Sequence, residues 1–192
     1  MSYQSYFLFG LSLVISGAAF AQQPADYLPP RFPAAYYKLT NKALHPQNGF
    51  LEGNKHGPGS PLGGATRMTT HSNDGGQAWL FSRVPDSPEA LYRILTLKGE
   101  RQELCLEGNH VVPGAALDGA AVLVQAGNAS GQLWKMVPAK NGYFRLTNQY
   151  LESKDMFLTG GSLNPSSARD AAHMERRSNS AGQLWKLIPM TQ

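Results

Sequence analysis

Cysteine, charge and long hydrophobic runs are all scarce in this chain of 192 residues. The single cysteine, Cys105, excludes a framework of intramolecular disulfides, so the fold must be held together by its core alone. Charged residues make up 16% of the chain and hydrophobic residues 42%, which excludes a highly charged disordered protein. These proportions predict one folded domain with a continuous core.

Sustained helical periodicity is also missing. No long segment repeats its apolar residues with the 3.6-residue period of an amphipathic helix. The 20 glycines and 13 prolines indicate many turns, which is typical of an all-β protein built from short strands.

The basic residues do not form a concentrated patch in the sequence. The net charge is +4, but the 17 Lys and Arg residues are scattered, with only a small group at Arg169, Arg176 and Arg177. Nucleic-acid binders concentrate such residues on one face or one helix. We therefore interpret them as a solvated surface and expect no nucleic-acid partner.

Catalytic and metal-binding motifs are absent. The chain contains no Gly-x-Ser-x-Gly elbow, and its five histidines show neither a His-Glu-x-x-His motif nor a Cys-His zinc spacing. The glycine-rich stretch 57–64 lacks the Lys-Ser/Thr ending of a phosphate loop, and we interpret it as a surface loop. No repeat places a pair of carboxylates as a glycosidase requires. The sequence predicts a protein that is not an enzyme and that needs no cofactor or metal.

The one long apolar run lies near the beginning of the chain, at Phe7–Phe20, and is too short to span a bilayer. Ala19 and Ala21 supply a small-x-small cleavage pattern, so we interpret residues 1–21 as a signal peptide and predict a secreted or periplasmic chain. Because no Lys or Arg precedes the run, an uncleaved anchor is the alternative. The residue directly after the cleavage point is Gln22 and not a cysteine, so a lipoprotein anchor has no support. Residues 22–35 contain four prolines and indicate an extended tail.

The rest of the chain is a threefold repeat. All three tryptophans of the chain stand in Gly-Gln-x-Trp phrases, at spacings of 55 and 51 residues. Each repeat opens with an aromatic-basic-aliphatic phrase and holds about four short apolar runs separated by turn residues. Three such units favour a single β-trefoil of about twelve short strands over a propeller, which needs four to eight blades. The predicted domain covers residues 36–192, with repeats at about 36–91, 92–143 and 144–192.

A Gln-x-Trp near the end of each of three such repeats resembles the ricin B-chain-type lectin domains. The Asn-x-x-Gly before each Gln-x-Trp is similar to a group of bacterial secreted trefoils. The resemblance covers Tyr36 to Pro189. It implies that the tryptophans lie in a shared core and that the glutamines tie strand and loop backbones together. Cys105 occupies the position of Phe50 and Phe157, so we predict a buried, inert thiol.

In such lectin domains a sugar site combines a carboxylate on the second strand, an aromatic platform on the third strand and a polar side chain beside the Gln-x-Trp. Glu52 and Glu107 occupy the carboxylate position, and we expect the Glu107 carboxylate at the rim. The third repeat has Thr159 at this position and loses the charge. None of the residues at the platform position is aromatic: Thr69, Val124 and Glu175. The resemblance therefore implies weak, partly degenerate sites centred on the first two repeats.

The remaining candidates lie beside these positions. His71 is the only ring near the platform position, and several asparagines follow the carboxylates or precede the glutamines. A turn-forming role for the asparagines and a structural role for the glutamines is the competing interpretation. The candidate sugar-binding residues are Glu52, Asn54, His71, Asn73, Gln77, Glu107, Asn109, Gln125, Asn128 and Gln132.

We therefore expect a secreted, non-catalytic, monomeric carbohydrate-binding protein without a stable membrane anchor, whose partner is a glycan or glycoconjugate. The alternative is a trefoil used for protein–protein contact, as an inhibitor or a subunit of a toxin or adhesin. Trefoils serve many such roles, so the fold alone does not choose between them.

The chain beginning at Gln22 is expected to give an all-β circular-dichroism spectrum and one cooperative unfolding transition, with or without reductant. The reason is that three repeats share one core and the single cysteine has no partner within the chain. A helical spectrum, or two separate transitions, would contradict the prediction of a single trefoil.

Overall fold

The computed structural model describes residues 36–53, 64–72, 75–98, 103–108, 118–166 and 170–190. The predicted signal peptide, the proline-rich tail and three candidate residues (Asn54, Asn73 and Asn109) lie outside the described residues. Within these ranges, no helix is long and apolar enough to cross a membrane.

The described residues are all-β, as the sequence predicts. Short 3₁₀ turns occur at His45–Gln47, Gly75–Gln77, Ser130–Gln132, Lys140–Gly142, Glu152–Lys154 and Ala181–Gln183. The twelve strands of this part of the chain are β1 (Tyr37–Asn41), β2 (Gly49–Glu52), β3 (Arg67–Thr70), β4 (Trp79–Arg83), β5 (Leu91–Thr96), β6 (Leu104–Glu107), β7 (Val122–Gln125), β8 (Trp134–Pro138), β9 (Phe144–Asn148), β10 (Met156–Thr159), β11 (His173–Arg176) and β12 (Trp185–Pro189).

The outer strands of the three repeats form a closed ring. The strands pair antiparallel in the order β4-β1-β12-β9-β8-β5, and the pairing of β4 with β5 closes the ring. Closure leaves no free edge among these six strands. The ring is a barrel to which each repeat contributes its first and fourth strands.

The inner strands of each repeat form an antiparallel hairpin, and the three hairpins have the same register. Glu52 pairs with Arg67, Glu107 with Val122 and Thr159 with His173. This register places the third strands in the alignment that the repeated phrases predict.

The three tryptophans occupy equivalent places in the core. Trp79, Trp134 and Trp185 are completely buried, and they belong to one hydrophobic cluster that joins the barrel to the hairpins. Each indole Nε1 donates to a second-strand carbonyl of its own repeat, at distances of 2.9, 2.8 and 2.7 Å to Leu51, Leu106 and Leu158. The hydrogen bond satisfies the one polar group of a side chain that otherwise contributes apolar area.

A glycine follows the second strand of each repeat, and in the first two repeats the chain passes close to the tryptophan there. A Cβ atom on Gly53 would lie 2.7 Å from Cη2 of Trp79, and one on Gly108 would lie 3.0 Å from Cη2 of Trp134. The Gly53 N–H donates to the carbonyl of Gly76 at 2.8 Å. The glycine therefore lets the end of the hairpin approach the Gln-x-Trp phrase of the same repeat.

Cys105 is buried, as the sequence predicts. Burial, with a smaller contribution from the negative charge of Glu107, raises the pKa of the thiol from 9.0 to about 11. The raised pKa favours the neutral thiol in the folded state. The contribution of the neutral Cys105 thiol to the stability of the fold is therefore complete below pH 9, and it is lost as the pH rises towards 11.

Replacing Trp134 with Ala is expected to lower the free energy of unfolding by about 3–5 kcal/mol, because it leaves a cavity in the shared core. Trp134→Phe is the matched control. It keeps an aromatic ring and loses the donor to the Leu106 carbonyl, so its cost is expected to be smaller, about 1–3 kcal/mol. Urea unfolding measures both values, and a larger loss for the Phe variant than for the Ala variant would contradict this role of the indole.

Candidate functional site

Each hairpin carries one glutamate, but not on the same strand. Glu52 ends β2 and Glu107 ends β6, as predicted for the carboxylate position. In the third repeat Thr159 holds that position, and the carboxylate comes from Glu175 on the neighbouring strand β11. The third repeat therefore lacks the charge at the second-strand position, as the sequence predicts, but its hairpin still contains a carboxylate on the other strand.

In the first hairpin, Glu52 is enclosed by polar partners, and its side chain is only 7% exposed. Thr69 Oγ1 donates to Glu52 Oε2 at 2.7 Å, and Gln77 Nε2 donates to the same threonine oxygen at 2.7 Å. Arg67 Nη2 lies 3.5 Å from Glu52 Oε1. Because a buried carboxylate requires such pairing, these contacts give Glu52 a structural role.

In the second hairpin the glutamine reaches the carboxylate directly. Gln132 Nε2 donates to Glu107 Oε2 at 2.8 Å, and Glu107 is only 7% exposed. Val122 and Val124 stand where the first hairpin has Arg67 and Thr69. The expectation that the Glu107 carboxylate lies at the rim is wrong, because it is buried, like that of Glu52, against donors of its own repeat.

In the third hairpin the carboxylate stays at the surface. The Glu175 side chain is 47% exposed, although Thr159 Oγ1 donates to its Oε2 at 3.1 Å. His173 Nε2 lies 2.8 Å from Glu175 Oε1, and His173 Nδ1 lies 2.8 Å from the carbonyl of Ala171. The sequence contained a signal for this arrangement, namely a Thr and a Glu at exchanged positions of the first and third repeats.

The glutamines of the Gln-x-Trp phrases bridge backbone groups. Gln77 and Gln132 are buried, and each Nε2 donates to the carbonyl of the last residue of the third strand, Thr70 at 2.7 Å and Gln125 at 3.3 Å. Gln183 repeats this contact with the carbonyl of Arg176 at 2.9 Å. Each Oε1 accepts from a loop N–H two residues further on: Ser72 at 2.9 Å, Gly127 at 2.7 Å and Ser178 at 2.9 Å. These contacts support the structural interpretation of the glutamines.

The basic residue of each opening phrase holds the same loop residue from its other side. Lys38 Nζ donates to the carbonyl of Ser72 at 2.8 Å, and burial lowers the pKa of this lysine. The corresponding arginines donate to the equivalent loop carbonyls, Arg93 Nε to Gly127 at 2.8 Å and Arg145 Nη2 to Ser178 at 3.2 Å. The repeated phrase shows in the sequence that this position is basic, but it does not show that the side chain donates to a loop carbonyl.

Three further candidates are exposed: His71, Gln125 and Asn128. The His71 ring packs edge-on against Phe50, with centroids 5.8 Å apart, and Asn128 Oδ1 accepts a hydrogen bond from Arg93. In the third repeat the Arg177 guanidinium takes the place of His71, 4.9 Å from the Phe157 ring. In the first and third repeats, the residue at this position therefore packs against the aromatic ring of the second strand.

Comparison with known proteins identifies the fold. No protein-family model matches the sequence, and no curated protein matches it. Among solved structures, a protein described as the BEL beta-trefoil aligns with a TM-score of 0.60 at 11% identity, over 84% of this chain and 98% of that chain. A likeness at this level of identity shows the fold alone, and the chain is a β-trefoil.

Two larger proteins contain a similar unit. A mosquitocidal holotoxin aligns with a TM-score of 0.63 at 17% identity, over 82% of this chain and 17% of that chain. An exo-beta-1,3-galactanase from Clostridium thermocellum aligns with a TM-score of 0.56 at 17% identity, over 82% of this chain and 31% of that chain. This chain thus spans about a sixth of the toxin chain and about a third of the galactanase chain.

Gln132→Glu is expected to lower the free energy of unfolding by about 1–3 kcal/mol, because it sets a second carboxylate against Glu107 and removes the donor to the Gln125 carbonyl. Gln183→Glu is the matched control. The third hairpin has Thr159 at the position of Glu107, so the loss there should be smaller. Adding Glu107→Gln to Gln132→Glu should recover part of the stability, because an amide again faces a carboxylate. Equal losses for the two single variants in urea unfolding would contradict a direct Gln132–Glu107 contact.

Proposed function

We propose that this protein is a secreted, non-catalytic carbohydrate-binding β-trefoil with weak sites on its hairpins. The observation that carries the proposal is the glutamate in every hairpin, which recurs in the third repeat although it moves to the other strand. Two of these carboxylates, Glu52 and Glu107, are buried among donors, whereas the third, Glu175, is 47% exposed. The secreted location rests on residues 1–21 alone.

The chemistry of a carboxylate suits sugar hydroxyls. An ionised carboxylate has two oxygens that accept from neighbouring hydroxyl groups, and charge-assisted hydrogen bonds are the stronger kind. The platform positions hold Thr69, Val124 and Glu175, so no ring there stacks on a sugar face. Without stacking, we expect dissociation constants in the high-micromolar to millimolar range. These correspond to binding free energies on the order of −4 to −5 kcal/mol.

The comparison with the galactanase supports the proposal. The similarity covers 31% of that enzyme, so a unit of this fold occurs in a protein that acts on a β-1,3-linked galactose polymer. When one hairpin binds a polymeric glycan, the effective concentration of that glycan at the other hairpins rises, so several weak contacts can act together. Oligosaccharides of β-1,3-linked galactose are therefore the first probes to use.

Protein contact is the second candidate function. It is favoured by the likeness to a mosquitocidal holotoxin, in which a unit of this size is a small part of the chain. It is also favoured by the inward-turned carboxylates of Glu52 and Glu107, which leave fewer exposed groups for sugar hydroxyls.

The chain beginning at Gln22 is expected to bind a restricted set of glycans on an array, with stronger retention on polymeric than on monomeric ligands. The physical reason is that each hairpin contact is weak and that several can act together. NMR titration with galactose and β-1,3-linked galactotriose measures the single-site affinity. No binding to any glycan, together with a stoichiometric protein partner recovered from the envelope fraction, would favour protein contact instead.

A further inference from the structure

The first and third hairpins each contain a glutamate, a threonine and a basic residue. The glutamate and the threonine have exchanged places between the two hairpins. In the first hairpin Glu52 on β2 accepts from Thr69 on β3, and in the third Thr159 on β10 donates to Glu175 on β11. Both pairs are diagonal in the same register. The basic residue keeps its position, since Arg67 and His173 are equivalent residues. The exchange moves the carboxylate from the second strand to the third and the threonine hydroxyl from the third strand to the second.

This exchange changes the accessibility of the carboxylate. The Glu52 side chain is 7% exposed and that of Glu175 is 47% exposed. In the first two repeats the Gln-x-Trp glutamine donates to Thr69 or to Glu107, which draws the carboxylate into its network. In the third repeat Gln183 donates to the carbonyl of Arg176, and the carboxylate of Glu175 stays outside that contact.

The exposed carboxylate is also held in a fixed orientation. Thr159 Oγ1 donates to one of its oxygens, and His173 Nε2 lies 2.8 Å from the other. Each carboxylate oxygen has capacity for a second donor, so two neighbouring hydroxyls of a ligand can bind without displacing these partners. Because the side chain is already ordered, binding costs little further conformational entropy.

The strand that carries the carboxylate is itself supported by the second repeat. Ala120 forms an antiparallel bridge with His173, and the Met174 N–H donates to the carbonyl of Gly119 at 2.6 Å. A site on a strand paired in this way holds its geometry better than one on a free loop.

We infer that the principal sugar site of this protein lies on the third hairpin, at the cluster Thr159, His173 and Glu175, where Glu175 accepts from two neighbouring hydroxyls of a glycan. The inference rests on the proposed carbohydrate-binding function. It moves the site from the first two repeats, where the carboxylates of Glu52 and Glu107 serve the fold, to the repeat that the sequence favours least.

The test is an NMR titration of the ¹⁵N-labelled chain beginning at Gln22 with β-1,3-linked galactotriose, or with the best ligand from the glycan array. The amide signals of residue 159 and of residues 173–176 should shift in the unmodified protein. Glu175→Gln should weaken binding by about tenfold or more, because it removes a charge-assisted acceptor. The matched control is Glu89→Gln, at an exposed carboxylate on the connection between β4 and β5 that pairs with Lys135 at 2.9 Å, and it should leave binding unchanged.

Thr159 is a positioning residue in this site, and a second pair of variants tests that role. Thr159→Val should weaken binding because it frees the carboxylate to rotate, whereas Thr159→Ser keeps the hydroxyl and should retain binding. Thermal melts confirm that each variant is folded. Binding that survives Glu175→Gln, with shifts in the other hairpins, would overturn the location of the site and leave the proposed function standing. The absence of glycan binding by the unmodified chain would overturn both.

Discussion

The structure depends on one hydrogen bond made three times, from a buried tryptophan N–H to the second-strand carbonyl of the same repeat. The indole belongs to a barrel strand and the carbonyl to a hairpin strand, so each bond fastens one hairpin onto the barrel. Because the three side chains belong to one cluster, each repeat is completed by its neighbours. A fifty-residue repeat cannot bury such a cluster by itself, and a chain with one cysteine has no disulfide to replace it.

The glutamine beside each tryptophan organises the polar layer above this core. Its carboxamide holds the end of the third strand and the following loop, and the basic residue of the opening phrase holds that loop from its other side. This network determines where the carboxylates lie. When the glutamate is on the second strand, the donors of the network enclose it, as at Glu52 and Glu107. When the glutamate is on the third strand, as at Glu175, its partners are a threonine and a histidine near the surface, and part of the carboxylate stays available to a ligand.

Much of the fold could be predicted from the repeated phrases, because the positions that close a threefold core must be apolar and equally spaced. The burial of Trp79, Trp134, Trp185 and Cys105 and the alignment of the hairpins follow from that spacing. The candidate site was less predictable. The sequence places Glu52 and Glu107 at the ends of strands, but their burial depends on glutamines distant in sequence. Gln132 donates to Glu107 directly, and Gln77 donates to Thr69, which in turn donates to Glu52. The resemblance marks Glu175 only as a platform position without an aromatic ring. The sequence nevertheless shows that Thr159 and Glu175 have exchanged places relative to Glu52 and Thr69.

The sequence by itself determined the number of repeats, the all-β class and the residues that fill the core, since these follow from periodicity and from the need to bury large apolar side chains. Only the tertiary structure decided which carboxylates face inward and which face solvent. The physical reason is that a buried charge is tolerated only where several donors converge, and these donors come from strands and loops that meet only after folding. In the first two repeats the donors converge and the carboxylate serves the fold. In the third repeat the glutamine Gln183 donates to the carbonyl of Arg176 instead, and the Glu175 side chain stays 47% exposed.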